Sequence, residues 1–167
     1  MRSTTSIPNF RIEQTTAQDV PLILSFIKEL AEYERLSHEV VATEELLHAS
    51  LFGERAMAEV LIAYDEHEAV GFALFFHNFS TFLGRPGIYL EDLYVRPAFR
   101  RRGLARKMLA TLARECVENG YTRLSWAVLD WNVNAIALYD AVGGKPQQEW
   151  ITYRVSGSEL SALADES

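Results

Sequence analysis

The stretch from Ile88 to Ala105, which reads IYLEDLYVRPAFRRRGLA, constrains the fold of this chain more than any other feature. An apolar segment with two embedded carboxylates passes through a proline-containing turn into three arginines and a glycine. This order predicts a strand, a turn and then a helix that begins near Gly103. Unpaired backbone N–H groups and the positive end of the helix dipole converge at such a start. The stretch is therefore typical of a phosphate-binding loop.

The spacing within this loop distinguishes it from two common kinds of phosphate-binding loop. Gly103 has no Cβ to hold the backbone away from an anion, and Ala105 has only a methyl group. The pattern Arg-x-x-Gly-x-Ala, which begins at Arg100, differs from the dinucleotide fingerprint GxGxxG and from the P-loop. Taken alone, these six residues also fit a solvated basic turn before an ordinary helix.

A second motif lies about thirty residues downstream and follows an apolar segment over residues 124–129. Residues 131–143 read WNVNAIALYDAVG and carry the pattern Asn-x-x-Ala-x-x-x-Tyr as Asn132, Ala135 and Tyr139. In this order and at this separation, the two motifs resemble those of the GNAT superfamily of N-acetyltransferases. In that superfamily the first loop holds the diphosphate of coenzyme A.

Length and composition favour one ordinary globular domain over residues 1–167, with a core from about residue 10 to residue 155. Apolar residues make up 49% of the chain and charged residues 23%. No apolar run reaches the roughly 18 residues of a membrane span, and the N-terminal segment lacks a signal-peptide core. We therefore expect no membrane partner. The net charge of −7 argues against nucleic acid, and a single cysteine favours a reducing cytoplasm.

The histidines and the cysteine give no sign of a metal site. The four histidines show no paired metal spacing with each other or with the cysteine, so no metal is predicted. Cys116 follows Leu109 and Leu112 at helical spacing, which predicts a buried, inert thiol rather than a nucleophile.

The periodicity along the chain predicts a mixed sheet with helices. The expected strands cover residues 10–13, 58–64, 70–79, 88–95, 124–129 and 149–155. One expected helix follows a capping box at Thr16 and Asp19, and a second, shorter helix is capped by Thr43. Two further helices are expected over residues 104–118 and 132–142, with one helical turn after residue 158. This order leaves α/β and α+β topologies open. The resemblance implies the GNAT acetyltransferase fold, in which helices cover both faces and the fourth and fifth strands splay apart to admit the pantetheine arm.

Acetyl transfer to an amine sets chemical requirements that particular residues meet. The amine must lose a proton, because an ammonium with a pKa near 10 has no lone pair, and the departing thiolate needs a proton donor. Tyr139 is the candidate acid, two helical turns after Asn132; the alternative is a tyrosine that packs its helix on the sheet. Glu91 is the candidate base, because a carboxylate is unusual within an apolar strand and a functional role would explain its presence.

Glu91 and its neighbour Asp92 are expected to do different jobs. Strict alternation along the strand places them on opposite faces, unless a bulge re-aims them. Asp92 then either holds a cationic substrate or pairs with an arginine. The alternative is that both are surface carboxylates on an exposed face.

Four segments resemble the diamine (spermidine/spermine) and thialysine acetyltransferases over about residues 10–155: IKELAEYE, IYLEDLYV, WNVNAIALYD and the late Glu149-Trp150. The segment FSTFLG is closer to the thialysine branch. The resemblance implies acetyl-CoA as co-substrate, a homodimer, Glu91 as base and Tyr139 as acid. It implies substrate binding by Tyr33, Glu34, Glu91, Asp92 and Glu149. It implies cofactor binding by Leu93, Tyr94, Val95, Arg100, Arg101, Arg102, Gly103, Leu104, Ala105, Arg106, Asn132, Ala135 and Tyr139.

Two departures from the pattern leave the substrate open. Ala105 and Arg106 replace a glycine and a small residue in the loop, and Asp140 stands where a lysine is usual. The leading hypothesis is an enzyme that acetylates a primary amine of a small cation such as a polyamine, thialysine or lysine analogue. The alternatives are acetylation of a protein lysine or a xenobiotic amine, and a non-catalytic acyl-CoA-binding module.

Overall fold

The computed structural model describes residues 10–167, and the N-terminal segment, where no signal peptide is expected, lies outside the described residues. The chain divides into two compact units, Met1–Leu129 and Asp130–Ser167. The first unit contains the sheet and the phosphate-binding loop. The second contains the Asn-x-x-Ala-x-x-x-Tyr motif. The prediction of one domain over the whole chain stays a prediction.

The described part of the first unit consists of a five-stranded sheet and three α-helices. In chain order they are β1 (Phe10–Gln14), α1 (Val20–Tyr33), α2 (Glu44–Phe52), β2 (Glu59–Asp65), β3 (Glu68–Ser80), β4 (Arg85–Val95), α3 (Leu104–Glu118) and β5 (Leu124–Trp126). The strands lie side by side in the order β1-β2-β3-β4-β5. The first three interfaces are antiparallel and the β4–β5 interface is parallel, which confirms the predicted mixed sheet.

The parallel interface between β4 and β5 is short. Its ladder runs only from the pair Ile88 and Leu124 to the pair Leu90 and Trp126. From Glu91 to the end of β4, no described residue of β5 pairs with β4. The predicted strand over residues 124–129 therefore ends three residues early. The two strands part at the level of the carboxylates, where the resemblance places the opening for pantetheine.

The predicted capping box starts a short 3-10 turn, Ala17–Asp19, that leads directly into helix α1. The backbone N–H of Thr16 donates to Asp19 Oδ2 over 2.7 Å, which confirms the box. Phe26, on the buried face of α1, stacks on Phe72 of β3 at 5.3 Å between ring centroids. Packing against the sheet thus fixes the helix, whose last residue is Tyr33.

Helices cover both faces of the sheet. The neighbouring residues Phe72 and Ala73 point to opposite faces, and both are fully buried. Phe72 belongs to the core cluster beneath α1 and α2, while α3 packs on β4 and β5. Helix α3 has the predicted bounds and buries Cys116, as its spacing indicates.

The second unit contains two helices, α4 (Val133–Ala141) and α5 (Gly157–Ala164). The first matches the predicted helix, and the second is longer than the single turn expected after residue 158. The strand predicted over residues 149–155 is wrong for this chain: these residues have no regular secondary structure and are exposed. An apolar segment becomes a strand only when a neighbour supplies a ladder, and none of the described residues does so here.

Candidate active site

The connection from β4 to α3 has a left-handed backbone at two positions. Arg101 and Gly103 both have left-handed backbones, with φ of 60° and 78°. Glycine adopts this conformation freely, whereas an arginine does so only when the loop demands it. Gly103 precedes α3 and has no side chain that could cap it, so the helix begins without an N-cap side-chain hydrogen bond. A loop of this shape at a helix start is suited to an anion such as a diphosphate.

The three arginines of the loop differ in what their side chains contact. Arg100 Nε donates to the carbonyl of Val95 over 2.8 Å, so this guanidinium points back to β4. Arg102 lies 3.3 Å from Asp65 and 4.9 Å from the Phe10 ring. Arg101 is exposed and pairs with none of the described residues. Backbone N–H groups and Arg101 are therefore the groups best placed to meet a phosphate. The predicted cofactor contacts of this loop stay predictions.

A β-bulge in β4 changes the direction of its carboxylates. Leu74 of β3 pairs with Asp92 and the next residue, Phe75, pairs with Leu90, so Glu91 has no partner on β3. The expectation for Glu91 and Asp92 allowed for a bulge that interrupts strict alternation, and the register between β3 and β4 contains such a bulge at Glu91. The Glu91 side chain is exposed and Asp92 is half-buried.

Three of the predicted substrate-binding carboxylates come together beside this bulge. Burial raises the pKa of Asp92 to about 7, and repulsion first from Glu91 and then from Glu34 adds to the effect. Glu34 follows the last residue of α1, and burial raises its pKa as well. The carboxylate cluster, which we define as Glu34, Glu91 and Asp92, therefore concentrates negative charge, and this repulsion together with burial favours the protonated form of Asp92 below about pH 7.

The predicted pantetheine-binding residues lie on the unpaired edge of β4. Leu93, Tyr94 and Val95 pair with β3 on one side and lie beyond the end of the β5 ladder on the other. Tyr94 and Val95 are buried. This edge of β4, where the Val95 carbonyl already accepts from Arg100, lacks a neighbouring strand among the described residues and is suited to an extended ligand that adds to the sheet.

The second motif lies on α4 in the second unit. Asn132 Oδ1 accepts a hydrogen bond from the Ala135 N–H over 3.3 Å, so the motif's asparagine caps the helix. Tyr139 is half-buried on the same helix, and Glu149 lies in the exposed segment that follows. The roles predicted for Tyr139 and Glu149 stay predictions.

The described residues, 10–167, lack the features of a metal site and of a bilayer crossing. No group of three or more His, Cys, Asp or Glu side chains in this part of the chain is arranged to hold a metal ion. None of its helices combines the length and the apolar character that a bilayer crossing requires.

The fold and the loop together define an acyltransferase of the N-acetyltransferase class. The sheet opens after its fourth strand, an uncapped helix start faces that end of the sheet, and carboxylates suited to an amine lie on the same strand. The chain belongs to the acetyltransferase (GNAT) family, whose model matches residues 24–143. GNAT acetyltransferases take the acetyl group from acetyl-CoA.

Comparison with individual proteins gives relatives along nearly the whole chain. The chain is 41% identical to a thialysine N-epsilon-acetyltransferase of Caenorhabditis elegans, over 95% of this chain and 99% of that protein. It is 32% identical to an L-ornithine N5-acetyltransferase of Arabidopsis thaliana, over 92% of this chain and 87% of that protein. Among solved structures, an integron cassette protein from the mobile metagenome of V. cholerae superposes with a TM-score of 0.78 at 25% identity, over 93% of this chain and 98% of that one.

Some features of the site are beyond the reach of sequence patterns. The spacing of Glu91 and Asp92 gives no sign of the bulge, because its signal lies in the pairing with β3. The contact between Arg100 and Tyr33, whose ring centroid lies 4.6 Å from the guanidinium carbon, joins residues far apart in the chain. Only the fold reveals either feature.

Proposed function

We propose that this protein transfers the acetyl group of acetyl-CoA to a primary amine of a small cationic substrate. A lysine-like amino acid, such as thialysine or ornithine, is the favoured substrate, and a polyamine is the next. The observation that carries the proposal is the carboxylate cluster beside the open edge of β4. The names of the relatives from Caenorhabditis elegans and Arabidopsis thaliana support an amino-acid side-chain amine.

The carboxylate cluster suits a cation that arrives with the substrate. An ammonium group near Asp92 offsets the burial and repulsion that raise the pKa of this carboxyl, so binding favours its ionised form. Tyr33 and Glu34, at the end of α1, are further proposed substrate contacts, and the resemblance adds Glu149. We expect the cluster to set the preference for cations over neutral amines.

Glu91 is the proposed base. It is exposed at the bulge, so water reaches its carboxylate and can relay a proton from the amine. Tyr139 is the proposed acid, because a phenol with an ordinary pKa near 10 donates a proton more readily than a serine hydroxyl. Direct attack by the amine needs no nucleophilic side chain. The thiol of Cys116 is buried and its pKa is raised by burial, so it is a poor nucleophile.

The residues present fit coenzyme A. The N–H groups of residues 101–106 would hold the pyrophosphate, the edge at Leu93, Tyr94 and Val95 would meet the pantetheine, and Asn132 and Ala135 would contribute from α4. The uncapped start of α3 supports this assignment. When bound, acetyl-CoA supplies a thioester as the acetyl donor.

A thiol-release assay over a panel of amines tests the proposal. The panel contains thialysine, ornithine, lysine, spermidine and a lysine-containing peptide, each with acetyl-CoA and purified protein. We expect the highest kcat/KM with one of the amino-acid or polyamine substrates. A preference for the peptide would move the assignment to protein lysines. Absence of thiol release with every amine, despite measurable binding of CoA, would make the protein a binding module.

We also propose that the protein is a cytoplasmic homodimer of single-domain chains. The segment over residues 149–155 exposes Trp150, Ile151 and Tyr153 and has no ladder partner among the described residues. A second copy of the chain is the partner that the resemblance implies. Light scattering at tens of micromolar should give the mass of two chains, and a monomer mass would refute the dimer.

A further inference from the structure

Two arginines of the connection between β4 and α3 rest on the same face of α1. Phe26 and Tyr33 are seven residues apart, which places them two turns apart on that face. The guanidinium carbon of Arg96 lies 4.7 Å from the Phe26 ring centroid, and that of Arg100 lies 4.6 Å from the Tyr33 ring centroid. The connection that carries the phosphate loop therefore contacts α1 at two points.

Arg96 is held independently of its aromatic contact. Its Nη2 and Nε donate to the two carboxylate oxygens of Glu29 over 2.8 and 3.1 Å, and its Nη1 donates to the carbonyl of Ala69 over 2.7 Å. This bidentate pair fastens the middle of α1 to the sheet. Arg96 is thus an anchor of the fold.

Arg100 has a different set of contacts. Its Nε donates to the carbonyl of Val95, and its guanidinium lies over the rings of Tyr33 and Tyr94 at 4.6 and 5.5 Å. It pairs with no carboxylate among residues 10–167. The Arg100 side chain therefore spans from the end of β4 to the last residue of α1.

We propose that Arg100 is a positioning residue that holds Tyr33, and with it the adjacent Glu34, in place to receive the amine. Its first position in the loop motif would otherwise indicate a ligand of the phosphate. The inference rests on the proposed amine site. It links the loop that binds the cofactor to the helix end that binds the acceptor.

The size of the effect follows from the contact that is lost. Without the guanidinium, the end of α1 loses one of the contacts that hold it, and the apparent affinity for the amine falls in proportion to the competent fraction. A cation–π contact of this kind shifts such an equilibrium by about 3- to 30-fold. The diphosphate does not depend on this side chain, so the affinity for CoA should change less than about threefold.

The test compares Arg100→Ala with Arg101→Ala, the adjacent arginine whose side chain contacts none of the described residues. Arg100→Ala should raise the KM for the best amine about 3- to 30-fold, with a smaller change in kcat and a nearly unchanged Kd for CoA by calorimetry. Arg101→Ala should weaken CoA and leave the amine KM nearly unchanged. A large loss of CoA affinity in Arg100→Ala, with the amine KM intact, would overturn the inference.

A double-mutant cycle separates positioning from a general loss of stability. Tyr33→Phe keeps the ring, so Arg100→Ala should have its full effect in that background. Tyr33→Leu removes the ring, so adding Arg100→Ala should raise the amine KM little further. Arg100→Lys keeps a cation near the ring and should recover part of the lost affinity. If Arg100→Ala fails to fold, Arg100→Lys replaces it in the same two Tyr33 backgrounds. An equal rise of the amine KM in the Tyr33→Phe and Tyr33→Leu backgrounds would refute the proposal that Arg100 acts through the Tyr33 ring.

A readout that needs no substrate keeps this inference distinct from the proposed function. Amide hydrogen exchange at residues 30–36 should be faster in Arg100→Ala than in the wild type, while exchange in the anchored middle of α1 stays unchanged. If the wild type acetylates no amine but exchange responds in this way, the proposed function fails and the positioning contact stands. Unchanged exchange at residues 30–36 would refute the contact itself.

Discussion

Replacement of Asp92 by asparagine should stabilise the protein at neutral and alkaline pH. Burial, with repulsion from Glu91 and Glu34, raises the pKa of Asp92 from 3.8 to about 7 in the folded protein. Between pH 3.8 and about pH 7, Asp92 keeps its proton in the folded protein but has lost it in the unfolded chain. Stability from this group is therefore fully present below about pH 4 and falls as the pH rises through 7. Asparagine has no charge to bury, so Asp92→Asn should remove this dependence.

The magnitude follows from the pKa difference. About three pKa units at 1.36 kcal/mol each give about 4 kcal/mol, lost at about 1.4 kcal/mol per pH unit between pH 4 and 7. At pH 8 the Asp92→Asn variant should be more stable by this amount, which corresponds to a rise in Tm of roughly 10 °C for a chain of this length. At pH 4 the two proteins should be nearly equal.

Urea unfolding of the ligand-free proteins at pH 4, 5, 6, 7 and 8 measures the effect. The quantity to plot is the difference in the free energy of unfolding between wild type and Asp92→Asn. The contributions of the other titrating groups are common to both proteins and cancel in this difference. Glu91→Gln serves as a matched variant: removal of its charge should shift the wild-type transition to lower pH. A difference that does not change between pH 4 and 8 would refute the account of the carboxylate cluster.

Three further predictions concern the site. Tyr139→Phe keeps the ring but loses the acidic hydroxyl, so kcat should fall by about 10- to 1,000-fold while the Kd for CoA changes little; unchanged kcat would remove Tyr139 from the mechanism. Glu91→Gln should lower kcat most at neutral pH and less at high pH, where free amine is abundant. A pH-rate profile measures this, and a rise in amine KM at every pH with intact kcat would show a purely binding role. Gly103→Glu places a Cβ and a carboxylate at a backbone with φ of 78° beside the proposed pyrophosphate, so calorimetry should show a loss of CoA binding; unchanged affinity would show that the loop assignment is wrong.

Local signals in the sequence predict several elements well. Helix α3 has its predicted bounds because Gly103 begins it and Asn119-Gly120 ends it, and both signals lie in the chain itself. The capping box of Thr16 and Asp19 is equally local.

Features that depend on a distant partner cannot be predicted in this way. The bulge at Glu91 arises from the register between β3 and β4, and a one-residue shift leaves no mark on the sequence of β4 alone. The expected strand over residues 149–155 has suitable alternation, but a strand exists only where another strand pairs with it. The direction of Arg100 toward Tyr33 likewise depends on how α1 packs.

The central claim is that the amine attacks the thioester directly, with both substrates bound together. An initial-velocity matrix, in which acetyl-CoA and the best amine of the panel are both varied, tests it most directly. The account predicts lines that intersect in the double-reciprocal plot, together with an unchanged intact mass of the protein after incubation with acetyl-CoA alone. Parallel lines, with an acetylated protein detected by mass spectrometry, would indicate a covalent acetyl-enzyme and contradict the account.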